Sequence, residues 1–192
     1  MPSIAGHMVV AKLVSEKLNI DDPDFTKGNL LPDIILKSNS HHKKKGTYYY
    51  VPNLEYFRNK LDLTNKLHLG YFVHLLLDYY FLEYYVLKNI SDLNVFANKM
   101  IYNEYDKINY SLVKRFDLDV EYLKKILKNF PVEINQEKLE YNLQCLSLRK
   151  MEATKYLMFE SFADFLDKIS EVISKEVEEY ANKSNRMLIC TK

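Results

Sequence analysis

Residues 70–81, GYFVHLLLDYYF, carry most of the information about the fold of this chain. Apolar and aromatic side chains fill nearly every position, which is typical of a helix buried in a protein core. Two polar residues interrupt the run, His74 and Asp78, four residues apart. Positions four apart on a helix lie about 40° from each other around its axis, so both side chains point the same way. The stretch therefore predicts a core helix with an imidazole and a carboxylate on one face.

Helical periodicity continues on both sides of this stretch, and no pair of alternating strands is apparent. The long helix that contains it is predicted to span 62–88. Residues 37–52, KSNSHHKKKGTYYYVP, are polar and basic and contain Gly and Pro, so they predict a loop. The remaining predicted helices are 3–19, a short segment ending at Pro32, 53–61, 92–105, 107–115, 119–129, 135–150 and 153–183. The fold class that follows is all-α.

Composition excludes several function classes. The chain has 192 residues, of which 47% are hydrophobic, and only 4 Gly and 5 Pro, as expected of one compact helical domain. Its 27 Lys and Arg balance 26 Asp and Glu, which gives no electrostatic reason to expect nucleic-acid binding. Two cysteines, Cys145 and Cys190, are too few for a disulfide framework or a thiolate zinc site.

The compartment follows from what the sequence lacks. The N-terminal MPSIAGHMVV has no basic leader, so we expect no signal peptide. The longest apolar run is broken by His74 and Asp78, so we expect no transmembrane segment. A cytoplasmic location is the resulting expectation.

His74 and Asp78 together suit one divalent ion, because imidazole nitrogen and carboxylate oxygen are ligands of Zn²⁺, and also of Mn²⁺ or Fe²⁺. Taken alone, the pair is better explained by a hydrogen bond in which Asp78 orients His74, since two ligands do not make a metal site. Further imidazoles and carboxylates change this balance. His7 lies in the apolar first helix, and Asp33 follows Pro32 inside an apolar run. Burying several ionisable groups is costly, and a bound cation compensates the cost.

The order and setting of these residues resemble the zinc-dependent phospholipase C family, an all-α fold shared with certain single-strand nucleases. The similarity is to small bacterial hypothetical hydrolases of that family and covers roughly residues 1–110. The matching motifs are MPS-x3-H at residues 1–7, F-x2-GN-x2-PD at 25–33, SH at 40–41 and GY-x2-H-x3-D at 70–78.

The resemblance implies a set of metal ligands. Asp33, His41, His74 and Asp78 match positions that coordinate metal in the family, and His7 matches a histidine of a neighbouring metal site. Asp33 also matches a general base for the attacking water. His41 is preferred to His42 because the family pattern has Ser-His there; His42 remains an alternative.

Departures from the family pattern bear on the number of ions. Secreted members use an N-terminal Trp as a ligand, whereas this chain begins Met-Pro and has no Trp. No histidine follows His74, so the later His-x3-Glu pair has no full equivalent. Glu104, in YNEYDKIN, is the best remaining acidic ligand, and Glu83 is the second. We therefore expect one or two zinc ions rather than three, with Mn or Fe as alternatives.

Length and composition predict a single helical domain over 1–192, with the metal-site half in 1–110, where the resemblance lies, helical completion in 111–183 and a frayed tail in 184–192. The implied activity is hydrolysis of a small-molecule phosphoester by metal-activated water, with Asp33 as the catalytic residue. Lys43–Lys45 beside His41 could attract a phosphate, and Tyr48–Tyr50 could form an aromatic wall. Both stretches are more often an ordinary solvated or packed loop. His68 falls about 120° off the face of His74 and is read as a surface or packing residue.

Two other functions compete with this hydrolase. One is a non-catalytic helical descendant of the family that serves a structural or partner-binding role, which the missing late histidines favour. The weaker one is a peripheral lipid-binding protein, for which the chain offers no strongly basic amphipathic face.

Overall fold

The structure is a computed structural model, and it describes residues 2–36, 39–90, 101–148 and 154–190. Helices dominate it, which confirms the all-α prediction. They are α1 (Ile4–Lys17), α2 (Pro23–Ile34), α3 (Leu54–Lys60), α4 (Lys66–Tyr80), α5 (Leu87–Asn89), α6 (Tyr102–Arg115), α7 (Val120–Ile126), α8 (Gln136–Ser147) and α9 (Phe159–Cys190). A π-helical segment, Phe81–Val86, joins α4 to α5 without a break.

Short polar side chains fix where several helices begin. Ser3 precedes α1, and its Oγ accepts the backbone N–H of Gly6 at 3.2 Å. Asn65 does the same for α4, accepting the N–H of His68 at 3.2 Å. These side-chain oxygens satisfy N–H groups that have no partner inside the first turn. Helix α4 therefore begins at Lys66 and not at the predicted residue 62, where Asp62 instead forms a turn with Thr64.

Helix α2 continues through Pro32 and ends at Ile34, so the prediction of a break at Pro32 was wrong. Proline removes one helical hydrogen bond, here the one to the carbonyl of Gly28, and it costs most in the middle of a helix. Pro32 lies in the last turn, where little of the helix remains to be disrupted. The same geometry keeps Asp33 on the helix.

The predicted loop 37–52 contains a small hairpin that the sequence analysis did not anticipate. Strands β1 (Lys44–Lys45) and β2 (Tyr50–Val51) pair antiparallel, with Lys45 opposite Tyr50. Two residues per strand are too few for an alternating pattern to be visible in the sequence.

The other predicted boundaries shift by a few residues. The predicted helices 119–129 and 135–150 are shorter in the structure, and α9 begins six residues later than predicted, at Phe159. It also continues past residue 183 to Cys190, through most of the predicted frayed tail. Of the predicted helix 92–105, residues 92–100 lie outside the described residues, and 102–105 belong to α6 together with the predicted 107–115.

Helices α1, α2 and α4 form the centre of the molecule. Helix α1 contacts α2, α4, α6, α8 and α9, and α2 and α4 pack most closely of all. Two glycines make this close packing possible. A Cβ on Gly28 would overlap the carbonyl oxygen of Leu67, and one on Gly70 would overlap the carbonyl oxygen of Phe25. The backbone of α2 consequently reaches the side chains of α4 directly.

Candidate metal centre

Five of the predicted ligands come together where α1, α2 and α4 meet. His7 lies on α1, Asp33 near the end of α2, His74 and Asp78 on α4, and His41 on the loop before the hairpin. They form two overlapping groups whose ligand atoms lie within 4.8 Å of one another, His7–His74–Asp78 and Asp33–His41–His74. The separated motifs of the sequence thus meet at one place, and this place could hold a metal ion.

The Asp78 carboxylate is the centre of the cluster and contacts three imidazoles. Its Oδ2 lies 3.1 Å from His41 Nε2 and 3.4 Å from His74 Nε2. Its Oδ1 lies 3.4 Å from His7 Nε2. The rings of His7 and His74 stack with their centroids 3.8 Å apart and their planes 8° from parallel.

Three of these atoms have the spacing of ligands around one tetrahedral ion. His41 Nε2 and His74 Nε2 are 3.3 Å apart, and Asp78 Oδ2 lies 3.1 and 3.4 Å from them. Ligand atoms about 2.05 Å from a tetrahedral zinc are separated from one another by about 3.3 Å. His41, His74 and Asp78 thus form a nearly equilateral triangle of the size that zinc requires, which we call the ligand triangle.

Four buried polar atoms of the cluster lack hydrogen-bond partners among the described residues. Both nitrogens of His7 and both carboxylate oxygens of Asp78 are in this state, although His7 and Asp78 are fully buried. Their mutual distances are short, but the alignment is not that of a hydrogen bond. Buried polar atoms without partners are rare and costly in native proteins. A cation would satisfy the Asp78 oxygens and the one lone pair of a neutral His7, so the donor set fits a metal ion.

Hydrogen bonds behind the ligands orient two of the imidazoles. His74 Nδ1 lies 2.7 Å from the backbone carbonyl of Asn29, and His41 Nδ1 lies 2.9 Å from Ser40 Oγ. Each bond leaves Nε2 pointing into the ligand triangle. Metal-binding histidines almost always have such a partner on the nitrogen that does not bind the metal.

The pKa values of the three fully buried ionisable groups, His7, His74 and Asp78, shift in different directions. Burial lowers the pKa of His7, and the nearby His74 lowers it further. Burial alone would lower the pKa of His74, but the negative charges of Asp78 and Asp33 outweigh it and raise that pKa. Burial opposes ionisation of Asp78, yet the charge of His74 outweighs it and holds the pKa of Asp78 well below its usual range. Without a metal ion, the raised pKa of His74 favours its protonated form beside Asp78.

The cluster approaches solvent on the side of Asp33 and His41. Asp33 is half-buried, and His41 keeps 8% of its surface exposed, whereas His7, His74 and Asp78 are inaccessible. Asp33 is therefore the acidic member of the cluster that solvent can reach.

The structure does not bring Glu104 into either group. Its buried carboxylate accepts three backbone N–H groups, from Lys155 at 2.5 Å, Tyr156 at 2.8 Å and Leu157 at 2.7 Å. These bonds fasten the segment before α9 to α6. Glu104 thus serves a local backbone role, unlike the ligand role that the sequence analysis expected.

The alternative residues also lie apart from the cluster. His42 stacks on Tyr56 at 3.9 Å, so of the two adjacent histidines it is His41 that reaches Asp78. The Glu83 carboxylate accepts two hydrogen bonds from Thr47, one from the backbone N–H at 2.9 Å and one from the hydroxyl at 2.5 Å. His68 Nδ1 accepts the backbone N–H of Asp62 at 3.2 Å. The lysines 43–45 are exposed, as are Tyr48 and Tyr50.

Three residues around the cluster received no role in the sequence analysis: Asn29, Ser40 and Tyr71. Tyr71 donates a hydrogen bond to the backbone carbonyl of Ser40 at 2.5 Å. It precedes His74 by three residues and Asp78 by seven, which is the spacing of one helix face. That spacing was the available signal for Tyr71. Asn29 acts through its backbone carbonyl, for which side-chain identity gives no signal.

A sizeable cavity lies away from the cluster. It has a volume of about 670 Å³ and is lined by the π-helical segment, α5 and α9, with Tyr84, Tyr85 and Phe165 among its walls. No residue of the cluster lines it.

Among the described residues, no helix has the length and apolar character needed to cross a membrane.

Comparison with known proteins adds no assignment. No protein-family model, no curated protein and no solved structure matches this chain. The resemblance to zinc-dependent phospholipase C therefore stays a prediction based on the short motifs, and the metal centre is argued from its geometry.

Proposed function

We propose that this chain is a zinc-dependent hydrolase of phosphoesters. The observation that carries the proposal is the ligand triangle, whose edges of 3.1, 3.3 and 3.4 Å suit one tetrahedral ion. The fully buried oxygens of Asp78, which lack hydrogen-bond partners among the described residues, support it.

Four of the five residues of the cluster have a part in the proposed reaction. The triangle residues His41, His74 and Asp78 hold the ion, and the hydrogen bonds of the imidazoles to the Asn29 carbonyl and to Ser40 Oγ keep the two Nε2 atoms directed at it. A bound zinc ion polarises a phosphoryl oxygen and lowers the pKa of water toward neutrality. The half-buried Asp33 accepts the proton of the attacking water at a carboxylate oxygen. The exposed lysines 43–45, which follow His41, attract the negatively charged substrate.

The test measures zinc content and hydrolysis of bis(p-nitrophenyl) phosphate side by side. Wild-type protein loaded with zinc should retain one tightly held equivalent and hydrolyse the ester. His41→Gln should lose both. His68→Gln, a histidine on the same helix as His74 but outside the cluster, should lose neither. Wild-type protein that retains no zinc after loading would refute the proposal.

Asp33→Asn separates catalysis from metal binding. Because Asp33 lies outside the ligand triangle, the variant should keep its zinc. Its hydrolysis rate should fall by about 10²–10⁴-fold, the usual contribution of a general base. An unchanged rate would remove Asp33 from the mechanism.

A second candidate function is a metal-stabilised helical scaffold without turnover. Two observations favour it: His7, His74 and Asp78 are fully buried, and no residue of the cluster lines the cavity of about 670 Å³. It predicts that zinc is retained and raises stability, while a panel of phosphomonoesters and phosphodiesters remains unhydrolysed.

A further inference from the structure

His41 is held differently from the other members of the ligand triangle. His74 and Asp78 project from one helix, whose hydrogen-bonded backbone sets the distance between them. His41 lies in a turn between Asn39 and His42, both of which have a positive φ, 66° and 37°. A histidine on such a turn needs contacts from outside to keep its nitrogen within 3.3 Å of His74.

Besides the backbone bond from the Asn53 N–H to the His41 carbonyl at 3.4 Å, His41 is held by Tyr71 through Ser40. The Tyr71 hydroxyl donates to the Ser40 carbonyl at 2.5 Å, which fixes the backbone immediately before His41. The Ser40 Oγ lies 2.9 Å from His41 Nδ1, which fixes the ring. Tyr71 itself is on α4, on the same face as His74 and Asp78. One helix thus presents two ligands and also the hydroxyl that positions the third.

We infer that Tyr71 and Ser40 are positioning residues that hold the His41 imidazole on the metal centre. When Nε2 of His41 serves as ligand, Nδ1 carries the hydrogen and donates it to Ser40 Oγ, and this bond keeps the ring oriented toward the metal centre. Burial and the charge of Asp33 raise the pKa of Tyr71, so its phenol keeps the proton that it donates. This inference rests on the metal site of the proposed function.

The experiment compares the zinc affinity of two Tyr→Phe variants on the same helix. Tyr71→Phe removes the bond to Ser40, and Tyr80→Phe removes a bond of similar length, 2.6 Å, from Tyr80 to Glu176 outside the cluster. Tyr71→Phe should weaken zinc affinity by about 10–100-fold, as is usual for partners behind a ligand. Tyr80→Phe should leave it unchanged. Equal affinities in the two variants would overturn the role of Tyr71.

Ser40 is tested with its own conservative control. Ser40→Ala should weaken zinc affinity about 10-fold or more, and Ser40→Thr, which retains the hydroxyl, should restore it. Full affinity in Ser40→Ala would overturn the role of Ser40.

The failure of the metal site and the failure of the positioning role are distinguishable. If wild-type protein binds no zinc, the proposed function fails, and the positioning role is read from the metal-free protein. Long-range ¹H–¹⁵N spectra of the His41 ring should then show a single tautomer in the wild type, because Ser40 Oγ pairs with Nδ1 while the Asp78 carboxylate lies 3.1 Å from Nε2, and different ¹⁵N shifts in Ser40→Ala. Identical His41 spectra in the two proteins would overturn the inference without reference to metal.

Discussion

Replacing Asp78 with Asn tests the centre of the cluster with almost no change of shape. The Asp78 carboxylate contacts His7, His41 and His74 at 3.1–3.4 Å in a site without solvent access. Removing one partner of a buried ion pair costs about 3–5 kcal/mol. We expect the lower end, about 3 kcal/mol, because His74 can release its proton and become neutral once Asp78 is gone.

The same variant should abolish stabilisation by zinc. Free zinc at 1,000 times its Kd adds about 4 kcal/mol to the unfolding free energy of the wild type. For a chain of this size each kcal/mol raises Tm by about 2–4 °C, so the wild type should gain about 8–16 °C. In Asp78→Asn one vertex of the ligand triangle carries no charge, and the gain should fall close to zero.

Differential scanning calorimetry of each protein, with a chelator and then with zinc, measures both effects. His68→Gln is the control and should gain as much as the wild type. The reasoning is refuted if Asp78→Asn gains as much from zinc as the wild type does. It is also refuted if the metal-free variant is as stable as the metal-free wild type.

Three further predictions follow from particular contacts. Because the pKa of His74 is raised, zinc must displace a proton from this imidazole, so zinc binding should release protons near pH 7 and weaken as pH falls. Titration calorimetry in two buffers of different ionisation enthalpy measures the proton release, and equal binding heats in the two buffers would contradict it. Gly28→Ala should lower the free energy of unfolding by about 3 kcal/mol or more, because its Cβ would overlap the Leu67 backbone. Gly6→Ala, whose Cβ would lie 3.3 Å from its nearest neighbours, should lower it much less, and urea unfolding of both variants measures the difference. Glu104→Gln should cost about 2–3 kcal/mol through its weakened bonds to backbone N–H groups, yet retain full zinc content by elemental analysis; a loss of zinc would return Glu104 to the metal site.

The face of α4 that carries the site was predictable because helical spacing is a local property. His74 and Asp78 lie four residues apart in an apolar run, and this spacing determines their common direction before any tertiary structure is known. The boundary at Lys66 was missed because the Asp62 side chain forms a turn with Thr64 that competes with helix. The turn depends on a few hydrogen bonds, and it does not change the spacing of the hydrophobic residues from which the helix was predicted.

Residues that act across long sequence distances were harder to assign. Glu104 looked like a spare acidic ligand because nothing near it in sequence shows that the N–H groups of residues 155–157 will approach it. The choice of His41 over His42 came from the Ser-His motif. The physical reason appears only in the folded structure, where the His42 ring stacks on Tyr56. Contacts of this kind depend on how helices pack and not on the local pattern.

The hydrogen bond between His74 and Asn29 has a consequence for stoichiometry. His74 belongs to both metal-capable groups, but its Nδ1 is occupied by the Asn29 carbonyl at 2.7 Å, which leaves a single lone pair on Nε2. One lone pair binds one ion at a time. The group with His7 and the group with Asp33 therefore cannot both hold an ion through His74 at the same time.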